Sequence, residues 1–289
     1  HLLEIFGPPD SGKTTLGLEA IAAAQRAGGV GAFLDAEHTL NPEYASCIGV
    51  DTASLIYAKP DSVHHAFSVI RTLIRTCAVD VIVLDSVAAL GPDPTPVPFP
   101  GRAGRIGDFA YWPFVHGLRD LHTLLPKSPC CVIFLNQLRS RLGVETGSTE
   151  TSPGAPALHC FASIRARVER RATMTFRGEA IGSRCALKVA KNSLGRSGRE
   201  AEFEILCDRG ISRETDLVKL GLRAGAIVRT PAGLSFGEIA LGATIPEASA
   251  ALPAKPHLFT ALDAELRERA GLGRKSTLAA AAGVGGSRA

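Results

Sequence analysis

Gly7-Pro8-Pro9-Asp10-Ser11-Gly12-Lys13-Thr14 matches the pattern G-x-x-x-x-G-K-[ST], and each defined position in it has a task at a bound polyphosphate. The glycines let backbone N–H groups close around phosphate oxygens, and the start of the following helix adds partial positive charge. Lys13 is expected to reach the β and γ phosphates and the Thr14 hydroxyl to ligate Mg²⁺; the nucleotide-binding stretch is taken to run through Thr15. A second group ends the apolar run Val81-Ile82-Val83-Leu84-Asp85. Its carboxylate belongs at the C-terminal edge of a buried strand, where α/β sheets bind ligands, so Asp85 is the expected second anchor for Mg²⁺, through water. Transfer of a phosphoryl group to water also needs a group that positions and activates that water. Phe33-Leu34-Asp35-Ala36-Glu37-His38 brings acids to the same edge, and Glu37 is the expected general base, with His38 or Asp35 in support. A further polar strand end, Asn136-Gln137, leads into residues 138–156, where Gln137 is a candidate sensor of the γ-phosphate that passes its position into the loop.

The elements that must position these groups are legible as an alternation. Strands expected at residues 3–6, 31–35, 54–57, 79–85 and 130–136 are separated by helical patterns at 13–26, 42–48, 62–77 and about 108–125, which indicates an α/β fold with a mostly parallel sheet. Residues 91–100 hold five prolines and read as an exposed extended loop. After the irregular stretch 138–156 the rhythm changes to three alternating strands near 161–173, 184–190 and 201–205, spaced as antiparallel neighbours. A composition shift near Ile211 marks a boundary; helices at 215–222 and 258–269 flank a small Gly/Pro-rich unit, and 271–289 reads as a mobile tail.

With 289 residues, 45% hydrophobic and 21% charged, the chain can bury large cores without staples, and wholesale disorder is excluded. No apolar run is long enough for a membrane span, since Asp80 and Asp85 interrupt the best stretch, so a cytoplasmic location is expected. The chain opens directly on the strand Leu2-Leu3-Glu4-Ile5-Phe6 without an initiator Met, which suggests a fragment. Seven scattered cysteines without a C-x-x-C pair argue against a disulfide framework or a zinc site and are expected to be small buried apolar side chains. The net charge of +4 is unevenly placed: residues 91–171 carry ten Lys/Arg against six Asp/Glu, leaving 22 against 22 elsewhere. That third also holds the most irregular segments, so an anionic partner is expected there.

Taken in order, these motifs resemble the RecA family of bacterial recombinases. The resemblance rests on DAEH at 35–38, NPEYA at 41–45, VDVIVLDSVAAL at 79–90, FLNQLR at 134–139, FASIR at 161–165 and KVAKN at 188–192, and it runs from Glu4 to about Ala270. It implies a RecA-type P-loop ATPase core over 1–211, with a central mostly parallel sheet and an antiparallel extension. A small C-terminal α+β domain over 212–270 and a flexible tail over 271–289 complete the expected organisation. It also implies a DNA-dependent ATPase using ATP and Mg²⁺. The partners are single-stranded DNA, homologous duplex DNA, further copies in a filament and the self-cleaving SOS repressor. By position, the resemblance assigns Lys13, Thr14 and Asp85 to Mg-ATP, Glu37 to water activation, Gln137 to γ-phosphate sensing and Tyr44 to adenine stacking. Residues 91–107 and 138–156 correspond to its two DNA-binding loops, with Arg139, Arg141 and Gly154 matching the second.

Several positions depart from the family pattern. The residues that precede the phosphate loop in the family and polymerise onto a neighbour are not part of this sequence, in keeping with the expected fragment. The first DNA loop is rewritten into the proline-rich stretch and Phe109-Ala110-Tyr111-Trp112-Pro113-Phe114, a cluster that either stacks bases or packs on the core. Asn41 replaces an Asp near adenine, Ala155 replaces a glycine, and the tail is basic through Arg274, Lys275 and Arg288. Two readings follow: an ATP-dependent, single-stranded-DNA-binding recombinase acting in strand exchange, repair and the SOS response, or a divergent nucleotide-binding regulatory or scaffold protein without strand exchange. The family's two trans-acting lysines are here Lys191 and Ser193, so one of two charges that stabilise the γ-phosphate of a neighbouring subunit is absent, a loss on the order of a hundredfold in rate. With saturating single-stranded DNA, Ser193→Lys should raise the steady-state ATPase rate by about tenfold or more. An unchanged rate together with a collapse in Arg196→Ala would mean that Arg196 already supplies the charge.

Overall fold

In the computed structural model, strands and helices alternate from the first residues: β1 (Leu2–Gly7), α1 (Lys13–Arg26), β2 (Gly31–Asp35), α2 (Pro42–Ile48), β3 (Ile56–Ala58), α3 (Val63–Arg75), β4 (Val81–Asp85), α4 (Asp108–Leu124) and β5 (Cys131–Gln137). There follow β6 (Arg139–Ser140), β7 (Glu150–Thr151), α5 (Ala155–Phe161), β8 (Ile164–Phe176), β9 (Glu179–Asn192), β10 (Glu200–Leu206) and β11 (Gly210–Ile211). The structure describes residues 1–91, 108–140 and 150–272, without the side chains of 108–111 and 140. Most of the expected first DNA loop, Arg141 and the basic tail lie outside the described residues, as do the side chains of Phe109 and Tyr111.

Nine strands form one sheet in the order β11-β10-β9-β8-β1-β5-β4-β2-β3. The run from β8 to β3 is parallel, and the β8–β9–β10–β11 side is antiparallel. Side chains alternate between the sheet's two faces, and the burial follows that period. Ala32, Leu34, Ile82, Leu84, Val132 and Phe134 join the core that α3, α4 and α5 cover. Their neighbours Phe33, Val83, Ile133 and Leu135 join the core under α1 and α2. Parallel strands buried on both faces read as continuous apolar runs, which is why β2, β4 and β5 stood out in the sequence.

The helices form where local chemistry caps them. Asn41 accepts from the N–H groups of Glu43 and Tyr44 at 2.9 and 3.1 Å, Pro42 opens α2, and Gly49 ends it in the left-handed conformation. Ser62 accepts from His65 N–H and starts α3, whose Val63, Ala66, Phe67, Ile70 and Ile74 form one buried stripe at helical spacing. The strand expected from near 161 begins at Ile164 as β8, and a helix that the sequence did not signal, Ala155–Phe161, precedes it. Gly154 makes that helix fit. Its φ is +65°, and an added Cβ would lie 2.4 Å from the Phe114 ring. Phe114 is buried and packs edge-on against Phe67 at 5.5 Å, whereas Trp112 of the same sequence cluster is exposed.

The cysteine expectation also fails in part. Cys130 and Cys185 are buried, but Cys47, Cys77, Cys160 and Cys207 are exposed, because they occupy helix faces and turns outside the strand interiors.

Residues from Ser212 onward form a separate unit, the division falling after Ile211. It contains α6 (Arg213–Arg223), β12 (Ile227–Thr230), β13 (Gly233–Phe236), β14 (Ile239–Gly242), α7 (Ile245–Ala251) and α8 (Pro256–Arg269). The three strands are antiparallel, and Leu217, Val218, Ile227, Leu234, Leu258 and Leu262 make its core. Among the described residues, no helix is long and apolar enough to cross a membrane.

Gly154→Ala should lower the unfolding free energy of the chain by about 2 kcal/mol or more, from left-handed strain together with overpacking. Chemical denaturation reads this directly; wild-type stability would mean that α5 is not held against Phe114.

Candidate functional site

β1 delivers the chain to the sheet's carboxyl edge, where residues 7–12 turn back into α1. Gly12 makes the turn at φ +90°, and an added Cβ there would lie 2.3 Å from Ile205 Cδ1. α1 begins with no side-chain cap and no acidic residue in its first turn, so its N–H groups and dipole face the loop uncompensated, an arrangement suited to an anion. Lys13, the first helical residue, is 7% exposed. Its Nζ donates to the carbonyls of Gly7 and Pro8 at 3.2 and 2.6 Å and to Ser11 Oγ at 3.4 Å. Burial pulls its pKa down, and the nearby Asp85, Glu37 and Asp10 carboxylates oppose the shift.

Thr14 Oγ1 donates to Asp85 Oδ2 at 2.5 Å. Burial pushes the Asp85 carboxyl up to about 6, with the charges of Glu37 and Asp35 adding to the rise and the Thr14 hydrogen bond and Lys13 working against it. A hydroxyl and a carboxylate side by side are two of the oxygen donors that Mg²⁺ takes in the company of phosphates and water, so the donor set fits that ion.

β2 and β4 run in register, with Asp35 beside Asp85. Beyond that pair the β2 chain stays hooked to β4: the Asp85 carbonyl accepts from Ala36 N–H at 2.7 Å and Glu37 N–H at 3.2 Å. Glu37 is thereby presented across the cleft from Thr14. Its Oε1 accepts from Gln137 Nε2 at 2.6 Å and from Ser86 Oγ. Asp35 braces the loop, accepting from the N–H groups of Thr39 and Leu40 and from Tyr57 Oη. His38 is exposed at φ +58°, and Asp35 braces the backbone that follows it.

Lys13, Thr14, Glu37, Asp85 and Gln137 line one cleft of about 460 Å³, with Pro9, Asp10, Ser11, Gly12 and Thr15 along its loop side. Tyr44 does not line it. Its ring lines an adjoining cleft of about 580 Å³ with Asn41, and its hydroxyl lies 2.9 Å from Thr15 Oγ1. Burial raises the Tyr44 pKa; the Thr15 contact opposes this, and the Cys207 and Cys47 thiols nearby add to the rise.

Three expected residues lie away from the clefts. Arg139 is exposed on β6, and its Nη2 donates to the Ala88 carbonyl at 3.3 Å. Gly154 is a packing residue at the start of α5. Lys191 Nζ donates to the carbonyls of His159 and Cys160 at 2.7 and 3.3 Å, covering the C-terminal end of α5.

Sequence reasoning missed a support beneath the site. Glu4, in the middle of β1, is 0% exposed; it accepts from Arg165 Nε at 2.5 Å on β8 and from Asn136 Nδ2 at 2.9 Å on β5. Asn136 Nδ2 also donates to the Pro153 carbonyl at 2.8 Å, and Arg167 Nη1 donates to Glu150 Oε2 at 2.7 Å. The returning end of the 138–156 segment is thus tied to the sheet beside Gln137. The signal was available, since a glutamate within Leu-Leu-Glu-Ile-Phe must find a partner if buried. Ser86, which steadies Glu37, carried no signal beyond its place after Asp85.

The raised Asp85 pKa gives a prediction with a definite sign. The folded carboxyl holds its proton more tightly than the unfolded one, whose ordinary value is 3.8, so stability without divalent cation should fall as pH rises from about 4 to about 6 and level off above. Asp85→Asn keeps a hydrogen-bonding partner for Thr14 and removes the buried charge. It should be more stable than the wild type at pH 7 without Mg²⁺, by up to about 3 kcal/mol, and converge with it near pH 4. Thermal melts across that range check this, and parallel profiles would contradict it.

The family profile described as the RecA N-terminal domain matches residues 1–212. The chain is 42% identical over 277 residues to Protein RecA of Acidothermus cellulolyticus, a match spanning 94% of this chain and 79% of that one. It is 40% identical to Protein RecA of Rubrobacter xylanophilus over the same shares, and 40% identical to that of Agrobacterium fabrum over 94% of this chain and 74% of that one. With the phosphate loop, the paired strand-end acids and the Gln137 contact in one cleft, and this likeness across both units, the chain belongs to the RecA family.

Proposed function

We propose that this chain is an ATP-dependent recombinase that binds single-stranded DNA, pairs it with homologous duplex and exchanges strands in DNA repair and the SOS response. The observation that carries the reading is the hydrogen bond between Glu37 and Gln137 at 2.6 Å. It joins the carboxylate best placed to act on water to the residue that leads into the segment assigned to DNA. Chemistry at the phosphate and contact with the nucleic acid therefore share one side-chain pair.

In this reading Lys13 and the uncapped N–H groups of α1 hold the phosphates, while Thr14 and Asp85 hold Mg²⁺. The metal supplies charge neutralisation at the phosphate oxygens. Glu37 orients a water through its carboxylate and takes its proton, a role typically worth about 10² to 10⁴ in rate. Gln137, which donates to Glu37, would exchange that bond for one to the γ-phosphate. Tyr44 and Asn41 line the cleft assigned to the base. Lys191, which lies away from the phosphate cleft of its own chain, serves the site of a neighbouring subunit in a filament. Arg139, exposed at the mouth of the segment, contacts DNA phosphate, and binding of that kind is salt-dependent and indifferent to sequence. A further partner in this reading is the SOS repressor, met by the assembled filament in the cytoplasm.

Glu37→Gln should abolish hydrolysis, by about a hundredfold or more, while a fluorescent ATP analogue still binds, because the amide keeps the shape but cannot take the proton. A steady-state ATPase assay with single-stranded DNA beside an analogue titration tests this. Hydrolysis near the wild-type rate would place the base elsewhere, and failure of Lys13→Ala to weaken analogue binding would remove the nucleotide reading itself.

A further inference from the structure

Two exposed thiols stand in the wall of the cleft assigned above to the nucleotide base. Cys47 lies in α2, three residues after Tyr44, and Cys207 follows β10. They come from separate elements and line the same cavity of about 580 Å³ as Tyr44 and Asn41. That cavity continues into the phosphate cleft, since Ser183 and Ile205 line both. Of the remaining cysteines, Cys185 lines the phosphate cleft but is buried, Cys77 and Cys160 are exposed but line neither cleft, Cys131 is half-buried and lines neither, and Cys130 is buried. Accessible sulfur and an open, ligand-sized cleft thus coincide at Cys47 and Cys207.

We propose that Cys47 and Cys207 form a thiol-modification site in the base cleft, where a low-molecular-weight disulfide forms a mixed disulfide that excludes nucleotide. The inference rests on the nucleotide reading of the site. The chemistry is thiol–disulfide exchange. The cysteine gives its proton to solvent, its thiolate attacks one sulfur of the small disulfide, one S–S bond replaces another, and the second half leaves as a thiolate. No other oxidant is needed, and a dithiol reverses the step. An adduct such as glutathione is comparable in bulk to a nucleobase with its ribose. It also carries net negative charge next to the place where the triphosphate must lie, so shape and charge both oppose binding. Occupancy of the cleft by nucleotide in turn shields both thiols.

The test uses the full chain, reduced and then treated with glutathione disulfide, with and without Mg-ATP, and each cysteine quantified by peptide mass spectrometry. Cys47 and Cys207 should be modified about tenfold more slowly when nucleotide is present, while Cys77 and Cys160 react equally in both conditions. Treated protein should bind a fluorescent ATP analogue at least about tenfold more weakly and recover on addition of a dithiol. The Cys47→Ser/Cys207→Ser variant should show the same affinity before and after treatment. Loss of affinity on treating that variant, or absence of nucleotide protection in a protein that binds the analogue, overturns the proposal and leaves the nucleotide reading intact. Failure of the untreated, reduced protein to bind the analogue overturns both.

Discussion

Glu37 accepts two hydrogen bonds on one carboxylate oxygen, from Gln137 at the end of β5 and from Ser86 beyond β4, and most of the core sheet serves to make that meeting possible. The strand order puts β5, β4 and β2 side by side in parallel, so that their carboxyl ends open on one edge. The Asp85 carbonyl then hooks the β2 chain to β4 for two residues past the strand end. A carboxylate on a free loop would sample many positions; this one is held by backbone bonds on its own side and by two donors on the other. The interaction is charge-assisted, and hydrogen bonds of that kind are roughly twice as strong as neutral ones.

The same edge carries an electrostatic cost. Asp35, Glu37 and Asp85 crowd together, and two of them, Asp35 and Asp85, are buried. Lys13 and the Thr14 hydroxyl offset part of that cost, and Asp35 spends its charge on two backbone N–H groups and a tyrosine. The residual penalty falls on Asp85, whose carboxyl is pushed up to about 6. Two buried carboxylates beside a lysine and a helix N-terminus suit a divalent cation accompanied by phosphate. Beneath it, Glu4 and Arg165 place a second charged pair inside the sheet. Buried pairs of this kind contribute little net stability, and the gain here is positional: through Asn136 they fix where the 138–156 segment returns.

Much of this was legible because the residues concerned obey local rules. The phosphate loop, β2, α1 and α2 have sharp signals: a glycine-lysine motif, a run of apolar residues, Asn41-Pro42 opening a helix and Gly49 closing it. Lys13, Thr14, Glu37, Asp85 and Gln137 were each chosen as polar ends of apolar strands or as motif positions, and they line one cleft. What stayed hidden depends on tertiary context. Ala155–Phe161 is a seven-residue helix, too short for periodicity to separate from the strand after it, and set by Gly154 against Phe114. The sheet β12–β13–β14 is built from four-residue strands with many exposed positions, so no alternation marked it. Tyr44 lines the cleft beside the phosphate cleft, and only packing reveals that Gly154 is bound up with α5.

In the function proposed above, nucleotide and DNA are coupled through Glu37 and Gln137. Coupling of this sort is reciprocal and is measured as a ratio of affinities. The direct measurement is the affinity for a fluorescent single-stranded oligonucleotide, with and without a slowly hydrolysed ATP analogue, in the wild type and in Gln137→Ala. With such coupling, affinity rises with the analogue in the wild type, by about tenfold or more, and the nucleotide effect disappears in the variant while basal DNA binding remains. Equal nucleotide dependence in the two proteins would contradict it.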